Sequence, residues 1–97
     1  MHARQTTVQG DPANIDSAIE RIRSDVLPAL ESSDGFKGFT LLVDRESGLL
    51  VGTSYFESYE ATMASEESVR ASRQAAAQTA GGEADVRFFD VAIDTEA

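Results

Sequence analysis

The first helix is indicated by apolar residues that recur every three or four positions, which is the spacing of one helix face. They are Ile15, Ile19, Ile22, Val26 and Leu30. Asp11 is a favourable N-cap, and Pro12 suits the first helical position because that position needs no backbone N–H. Pro28 lies within the same pattern, so we expect a kink or a loosened last turn there.

A second helix is predicted from Ser58 to about residue 80, in a segment where alanine replaces most large apolar residues. Ser58 is a favourable N-cap, and Glu60 lies in the first turn, where the helix dipole favours a carboxylate. Gly81 is expected to end the helix. Met63 and Val69 are its main large apolar residues, so the helix either packs tightly on its neighbours or leaves room for a ligand.

Four segments rich in β-branched and aromatic residues are predicted as strands. They cover residues 3–9, 36–44, 49–56 and 85–93. The tetrapeptide at 45–48, Arg-Glu-Ser-Gly, predicts a tight turn that makes a hairpin of the middle two strands. The order β-α-β-β-α-β predicts one α+β domain over residues 1–97. Right-handed crossovers place both helices on one face of a four-stranded antiparallel sheet, as in ferredoxin-like folds.

Both faces of these strands carry apolar residues. In the second strand, Phe39, Leu41 and Val43 are predicted to face one way, and Phe36 and Leu42 the other. The two helices can cover only one face of the sheet, and a face exposed to water is expected to alternate apolar with polar residues. The simplest cover for the second face is another copy of the sheet, so we predict a homodimer.

Composition narrows the classes of function. Acidic residues outnumber Lys and Arg by 17 to 8, and a net charge of −9 argues against nucleic-acid partners and anionic membranes. There is no cysteine, and His2 is the single histidine, so we expect neither a metal site nor a metal cofactor. His2 is expected to face solvent. The opening residues lack the apolar stretch of a signal peptide, and a cytoplasmic location is expected.

Residues around the hairpin resemble a known superfamily. DGFKGFTLLVD enters the hairpin and SYFESYEATMAS leaves it, and the fit is best at Phe56-Glu57-Ser58 followed by Glu60-Ala61. This pattern is similar to the dimeric α+β barrels of the antibiotic biosynthesis monooxygenase type, in which two sheets pair. The resemblance implies a cofactor-independent monooxygenase of hydrophobic aromatic molecules. The alternatives are a non-catalytic domain of the same fold, which binds a small ligand or is accessory, and a domain that contacts a protein partner.

Two departures from the superfamily bear on the activity. Active members often carry a tryptophan where this chain has Phe56, and the chain has no tryptophan. Haem-degrading members use a histidine of the second helix as the iron ligand, and residues 57–80 contain none. Haem chemistry is therefore not expected, and whether the domain is an enzyme stays open.

An oxygenase of this kind needs an apolar pocket with a few convergent polar groups. Candidates for ligand binding are Phe39, Phe56, Met63 and Phe88. Candidates for catalysis are Tyr55 and Tyr59, which could hydrogen-bond a substrate oxygen, and Arg73, which could stabilise an enolate. The competing role for the aromatic residues and Met63 is ordinary core packing, and for the two tyrosines it is packing with the hydroxyl in water.

The charged and polar candidates also have competing structural roles. Glu66 and Glu67 lie four and three residues before Arg70, a spacing typical of surface ion pairs on a helix, and the same surface role is open to Arg73. The polar residues 4–7 of the first strand, Arg-Gln-Thr-Thr, either tune a cavity or form the solvent side of an edge strand.

Overall fold

A computed structural model describes residues 1–95. Its strands are β1 (His2–Gln9), β2 (Phe36–Asp44), β3 (Leu49–Phe56) and β4 (Ala84–Asp90), in one antiparallel sheet of order β2-β3-β1-β4. Its α-helices are α1 (Ile15–Arg21), α2 (Leu27–Glu31) and α3 (Tyr59–Ala80). The predicted ferredoxin-like arrangement is confirmed. β1 is an inner strand, so the expectation that its polar residues form the solvent side of an edge strand is wrong.

The first helical region, residues 12–31, begins with a 3₁₀ turn capped by Asp11, whose side chain accepts a hydrogen bond from the Ala13 N–H at 2.9 Å. A π-helical segment, Ile22–Val26, separates α1 from α2. Pro28 has no N–H to give to the carbonyl of Ser24, and its ring crowds that carbonyl. The wider π turn accommodates both effects. The loosening that was expected in the last turn therefore occurs one turn earlier.

The core lies between the sheet and the helices, in two clusters of buried side chains. One cluster lies beside the turn that follows β1 and contains Val8, Ile15, Ala18, Leu50, Ala77 and Ala80. The other lies towards the start of α3 and contains Leu30, Phe56 and Val69. α3 begins at the predicted cap, Ser58, and ends at Gly81, whose φ of 93° is readily adopted only by glycine. Both helical regions therefore pack on one face of the sheet.

A β-bulge between Phe36 and Gly38 changes the face of one predicted residue. The extra residue of a bulge shifts the alternation of side chains by one. The Phe36 ring therefore packs edge-to-face against the Phe56 ring, with centroids 5.8 Å apart, on the helix side of the sheet. The prediction that Phe36 shares the opposite face with Leu42 is wrong.

β4 ends at Asp90, three residues before the predicted end of the strand. Asp90 pairs with His2, the first residue of β1, and the Val91 N–H donates to the Met1 carbonyl at 3.0 Å. Within residues 1–95, no helix combines the length and apolar composition needed to span a membrane. The cytoplasmic location stays a prediction.

Candidate functional site

A cavity of about 70 Å³ lies between the sheet and the two helical regions. Most of its lining is aliphatic, and the polar exceptions are Arg4, Thr6, Ser54 and Arg73. A single buried water needs about 10–15 Å³, so the cavity has room for several waters or for one part of a ligand. It is partly open to the surface, so a larger aromatic molecule can enter it with one end. Its lining follows from strand geometry, because alternate residues of β1 point to the same face.

Small residues create this space. Gly52 lies opposite Thr6 on the neighbouring strand, and Ala76 and Ala77 face the sheet from α3; all of them line the cavity. A Cβ atom at Gly52 would come within 3.2 Å of the Phe39 ring, which also lines the cavity. Of the two outcomes expected for the alanine-rich helix, the structure therefore has the one that leaves room.

Arg4, Glu66 and Arg73 form a connected ion-pair network at the cavity. Nη1 of Arg4 donates to Oε1 of Glu66 at 2.8 Å. Arg73 donates from both terminal nitrogens, to Oε1 at 2.9 Å and to Oε2 at 3.1 Å. The exposed fractions of the three side chains are 3%, 16% and 15%. Because water screens such a network only weakly, its interactions are stronger than those of surface pairs.

The environment of the network shifts two pKa values. Arg73, and to a lesser degree Arg4, holds the pKa of the Glu66 carboxyl below its ordinary value, although burial opposes the shift. Burial lowers the pKa of the Arg4 guanidinium, and the Glu66 carboxylate opposes that shift. An arginine stays charged at any physiological pH. All three groups are therefore ionised at neutral pH, and the network carries a net charge of +1.

The network differs from the ion pairs expected on α3. Glu66 pairs with Arg4 of β1 and with Arg73, seven residues further along the helix, rather than with Arg70. Residues seven apart lie on the same side of a helix, two turns from each other, and this side faces the sheet. Arg70, four residues after Glu66, is exposed. The surface role expected for Arg73 is therefore wrong, because the buried guanidinium of Arg4 holds the Glu66 carboxylate at the sheet.

The sequence-predicted site residues are only partly brought together. Phe39 and Arg73 line the cavity. Phe56 is fully buried beside it, with its ring centroid 5.3 Å from the Arg4 guanidinium carbon. Tyr55 lies on the other face of the sheet, and Met63 is half-buried on α3 away from the cavity lining. Two of these five predicted residues therefore touch the space where a ligand would lie.

A second cluster surrounds His2, at the end of the sheet beyond the cavity. Its Nδ1 lies 2.9 Å from Oγ1 of Thr62, and its ring packs edge-to-face on Tyr59 and parallel to Phe88, with centroids 5.2 and 6.4 Å away. The expectation that His2 faces solvent is wrong: its exposed fraction is 6%. Tyr59 and Phe88 are more than 40% exposed. The Thr62 hydroxyl donates to the Ser58 carbonyl, so His2 donates from Nδ1.

Sequence reasoning offered a cavity role to residues 4–7 as one of two alternatives, but did not name Arg4 as a candidate site residue. The available signal was the alternation of side chains along β1. Arg4 and Val8 are four residues apart, so they lie on the same face of the strand. If β1 is an inner strand with Val8 in the core, Arg4 must be buried with it. In the described part of the chain, no group of three or more histidine or acidic side chains is arranged to hold a metal ion.

Solved structures of other proteins share this architecture. A monooxygenase from the gene ActVA-Orf6 of Streptomyces coelicolor, in complex with nanaomycin D, is 19% identical and has a TM-score of 0.78, with 96% of this chain and 88% of that chain covered. Another antibiotic biosynthesis monooxygenase is 16% identical, with a TM-score of 0.72 over 96% and 100% of the two chains. The chain has the antibiotic biosynthesis monooxygenase fold. The predicted resemblance is confirmed at this level.

Two further comparisons come from Mycobacterium tuberculosis. The structure of Rv0793 is 14% identical, with a TM-score of 0.74 over 97% of both chains. The uncharacterized proteins Rv2558 and Rv2557 of strain H37Rv are 42% and 41% identical over 93 and 92 residues. These alignments cover 96% and 95% of this chain but 39% and 41% of the relatives, so the chain spans about two fifths of their length. No family model matches the chain.

Proposed function

We propose that this monooxygenase-fold domain binds a small hydrophobic aromatic molecule in the cavity between sheet and helices, and oxygenates it without a cofactor. The observation that carries the proposal is the pairing of an aliphatic cavity with a charged guanidinium, Arg73, in its lining. Few polar groups within an apolar enclosure are typical of small-molecule sites. The complex of the ActVA-Orf6 monooxygenase with nanaomycin D supports an aromatic ligand for this fold.

The chemistry would use the electrons of the substrate itself. An anthrone, once deprotonated, is an electron-rich enolate that reacts with O₂. Its ring CH₂ becomes C=O, one oxygen atom enters the product, and the other leaves as water with the two hydrogens. The four electrons come from the CH₂ carbon, so no external reductant is needed. Arg73 would stabilise the enolate oxygen, since a positive charge in a water-poor site lowers the energy of a nearby anion.

Non-catalytic ligand binding is the second candidate function, and one observation favours it. The titratable residues lining the cavity are Arg4 and Arg73, and neither can act as a base at physiological pH. Tyr55 and Tyr59 lie outside the lining, so the catalytic role is proposed for Arg73 alone. A substrate that is not ionised in solution would then bind without reacting.

Oxygen consumption with a panel of anthrones and hydroquinones separates the two functions. We expect uptake of one O₂ for each quinone formed. Arg73→Met should abolish uptake, whereas Arg70→Met, which alters an exposed arginine of the same helix, should retain it. Binding of the panel compounds without uptake above a buffer control would favour the non-catalytic role, and absence of both binding and uptake would refute the proposal.

We also propose that a second copy of the chain covers the open face, defined as the side of the sheet away from the helices. Leu42 lies there with 62% of its side chain exposed, and Phe89 with 46%. They lie on the two edge strands, and the half-buried Val51 and Tyr55 of β3 lie between them on the same face. Apolar side chains spread across a sheet face in this way mark an interaction surface. Light scattering at micromolar concentration should give the mass of a dimer, and Leu42→Glu should give a monomer. Ser17→Glu, an exposed change on α1, should leave the dimer intact.

A further inference from the structure

The hydrogen bonds of Arg4 leave part of its guanidinium without a partner. A guanidinium has five N–H donors. Nη1 uses its two, towards Oγ of Ser65 at 2.9 Å and Oε1 of Glu66 at 2.8 Å. One flat side of the group lies over the Phe56 ring. The donors on Nε and Nη2 make no side-chain hydrogen bond among the residues that the structure describes.

These remaining donors face open space rather than packed protein. Only 3% of Arg4 is exposed, and the residue lines the cavity. Across residues 1–95, no fully buried side-chain nitrogen or oxygen lacks a hydrogen-bond partner. The unpartnered nitrogens of Arg4 are therefore in contact with the cavity. A group bound there would meet strong donors in a site that is otherwise mainly aliphatic.

Charge and geometry together define the chemistry that fits these donors. The network of Arg4, Glu66 and Arg73 carries one positive charge in excess, so it favours a singly charged anion. Nε and Nη2 lie along one edge of the guanidinium, and this edge binds both oxygens of a carboxylate through two parallel hydrogen bonds. Glu66 and Ser65 hold the opposite edge and thereby fix the orientation of the group.

We propose that the cavity selects hydrophobic molecules that carry a carboxylate, and that Nε and Nη2 of Arg4 bind this carboxylate. The inference rests on the proposed function, because it concerns the same cavity. It adds the charge of the ligand and the residue that recognises it. Arg4 thereby determines which molecules bind, whether or not the domain then oxidises them.

Benzoate and benzamide are a matched pair of probes, nearly equal in size and shape but different in charge. Binding is measured by titrating each compound into the ¹⁵N-labelled full chain and following the backbone amide signals of residues around the cavity. We expect benzoate to bind about 10- to 100-fold more tightly than benzamide, as for hydrogen bonds between charged groups. Arg4→Met should remove this preference, and Arg70→Met should retain it.

The outcomes distinguish this inference from the proposal on which it rests. Equal affinity for the two probes would refute recognition of a carboxylate and leave the cavity as a site for neutral ligands. Failure of both probes to shift the cavity signals would refute the site as well. If Arg4→Met does not fold, Arg4→Lys tests the recognition of the carboxylate instead, because lysine keeps the positive charge but lacks the planar edge of the guanidinium. A benzoate preference retained in full by Arg4→Lys would overturn the role of Nε and Nη2.

Discussion

Replacing Glu66 with glutamine removes the charge that Arg4 and Arg73 share while keeping the shape of the side chain. Breaking one side of a buried ion pair costs about 3–5 kcal/mol. Glu66 is 16% exposed and the glutamine oxygen still accepts a hydrogen bond, so we expect a loss of about 2–3 kcal/mol. Unfolding entropy for a chain of 97 residues is about 0.2 kcal/mol/K. The melting temperature should therefore fall by about 10–15 °C.

The difference in stability between the wild type and Glu66→Gln should become smaller in acid. The pKa of Glu66 in the folded protein lies below its ordinary value of 4.5, mainly because of Arg73. A carboxyl group with a lowered folded pKa contributes stability that is fully present above the unfolded pKa and is lost as the pH falls through the folded pKa. The wild type should therefore lose this contribution below about pH 4.5, whereas Glu66→Gln has no such contribution to lose.

Urea unfolding followed by circular dichroism, at neutral pH and at several acidic pH values, measures both effects. Glu67→Gln is the matched control, because it makes the same change at an exposed neighbour on α3. Adding Arg4→Met to Glu66→Gln should restore about 1 kcal/mol or more relative to the sum of the single changes, since the unpaired charge is removed. A difference between wild type and Glu66→Gln that stays constant into acid would show that packing, not charge, is responsible.

Three smaller changes test other parts of the structure. Ser58→Ala should lower the free energy of unfolding by about 1 kcal/mol, because the Ala61 N–H loses its acceptor; no change in urea unfolding would contradict this cap. Ala76→Val should fill part of the cavity and weaken benzoate binding in the NMR titration at least about fivefold. An unchanged affinity would show that benzoate binds outside the cavity. Thr62→Val should lower the melting temperature, because it leaves His2 Nδ1 without its acceptor and this loss costs about 1–3 kcal/mol of stability. An unchanged melting temperature would refute that hydrogen bond.

Local signals predicted most of the fold. The hairpin strands β2 and β3 have the predicted limits, because the turn and the flanking aromatic and branched residues all lie within one short segment. Errors arose where distant residues decide the outcome. β4 ends opposite His2 of β1, and the face of Phe36 depends on a bulge against β3. The pairing of β4 with β1 cannot be identified from the local pattern, and the turn that predicts the hairpin does not show the bulge.

The candidate site was less accessible to sequence reasoning. The cavity exists because Gly52 on β3 and Ala76 on α3 face the same point, which requires the sheet register and the helix rotation together. The link from Arg4 to Glu66 likewise joins residues 62 apart in the chain. The seven-residue spacing of Glu66 and Arg73 was visible, but it indicates one helix face without indicating that the face is buried.

β1 also constrains how sequences with this architecture can change. Successive side chains of the strand alternate between the cavity and the open face, so Arg4 and Thr6 belong to one and Gln5 and Thr7 to the other. Inserting or deleting one residue within β1 would exchange the two sets, moving the guanidinium away from Glu66 and onto the outer surface. A two-residue insertion would preserve the faces but displace Arg4 along the strand. Substitution is therefore the route by which β1 can alter ligand preference while the sheet stays intact.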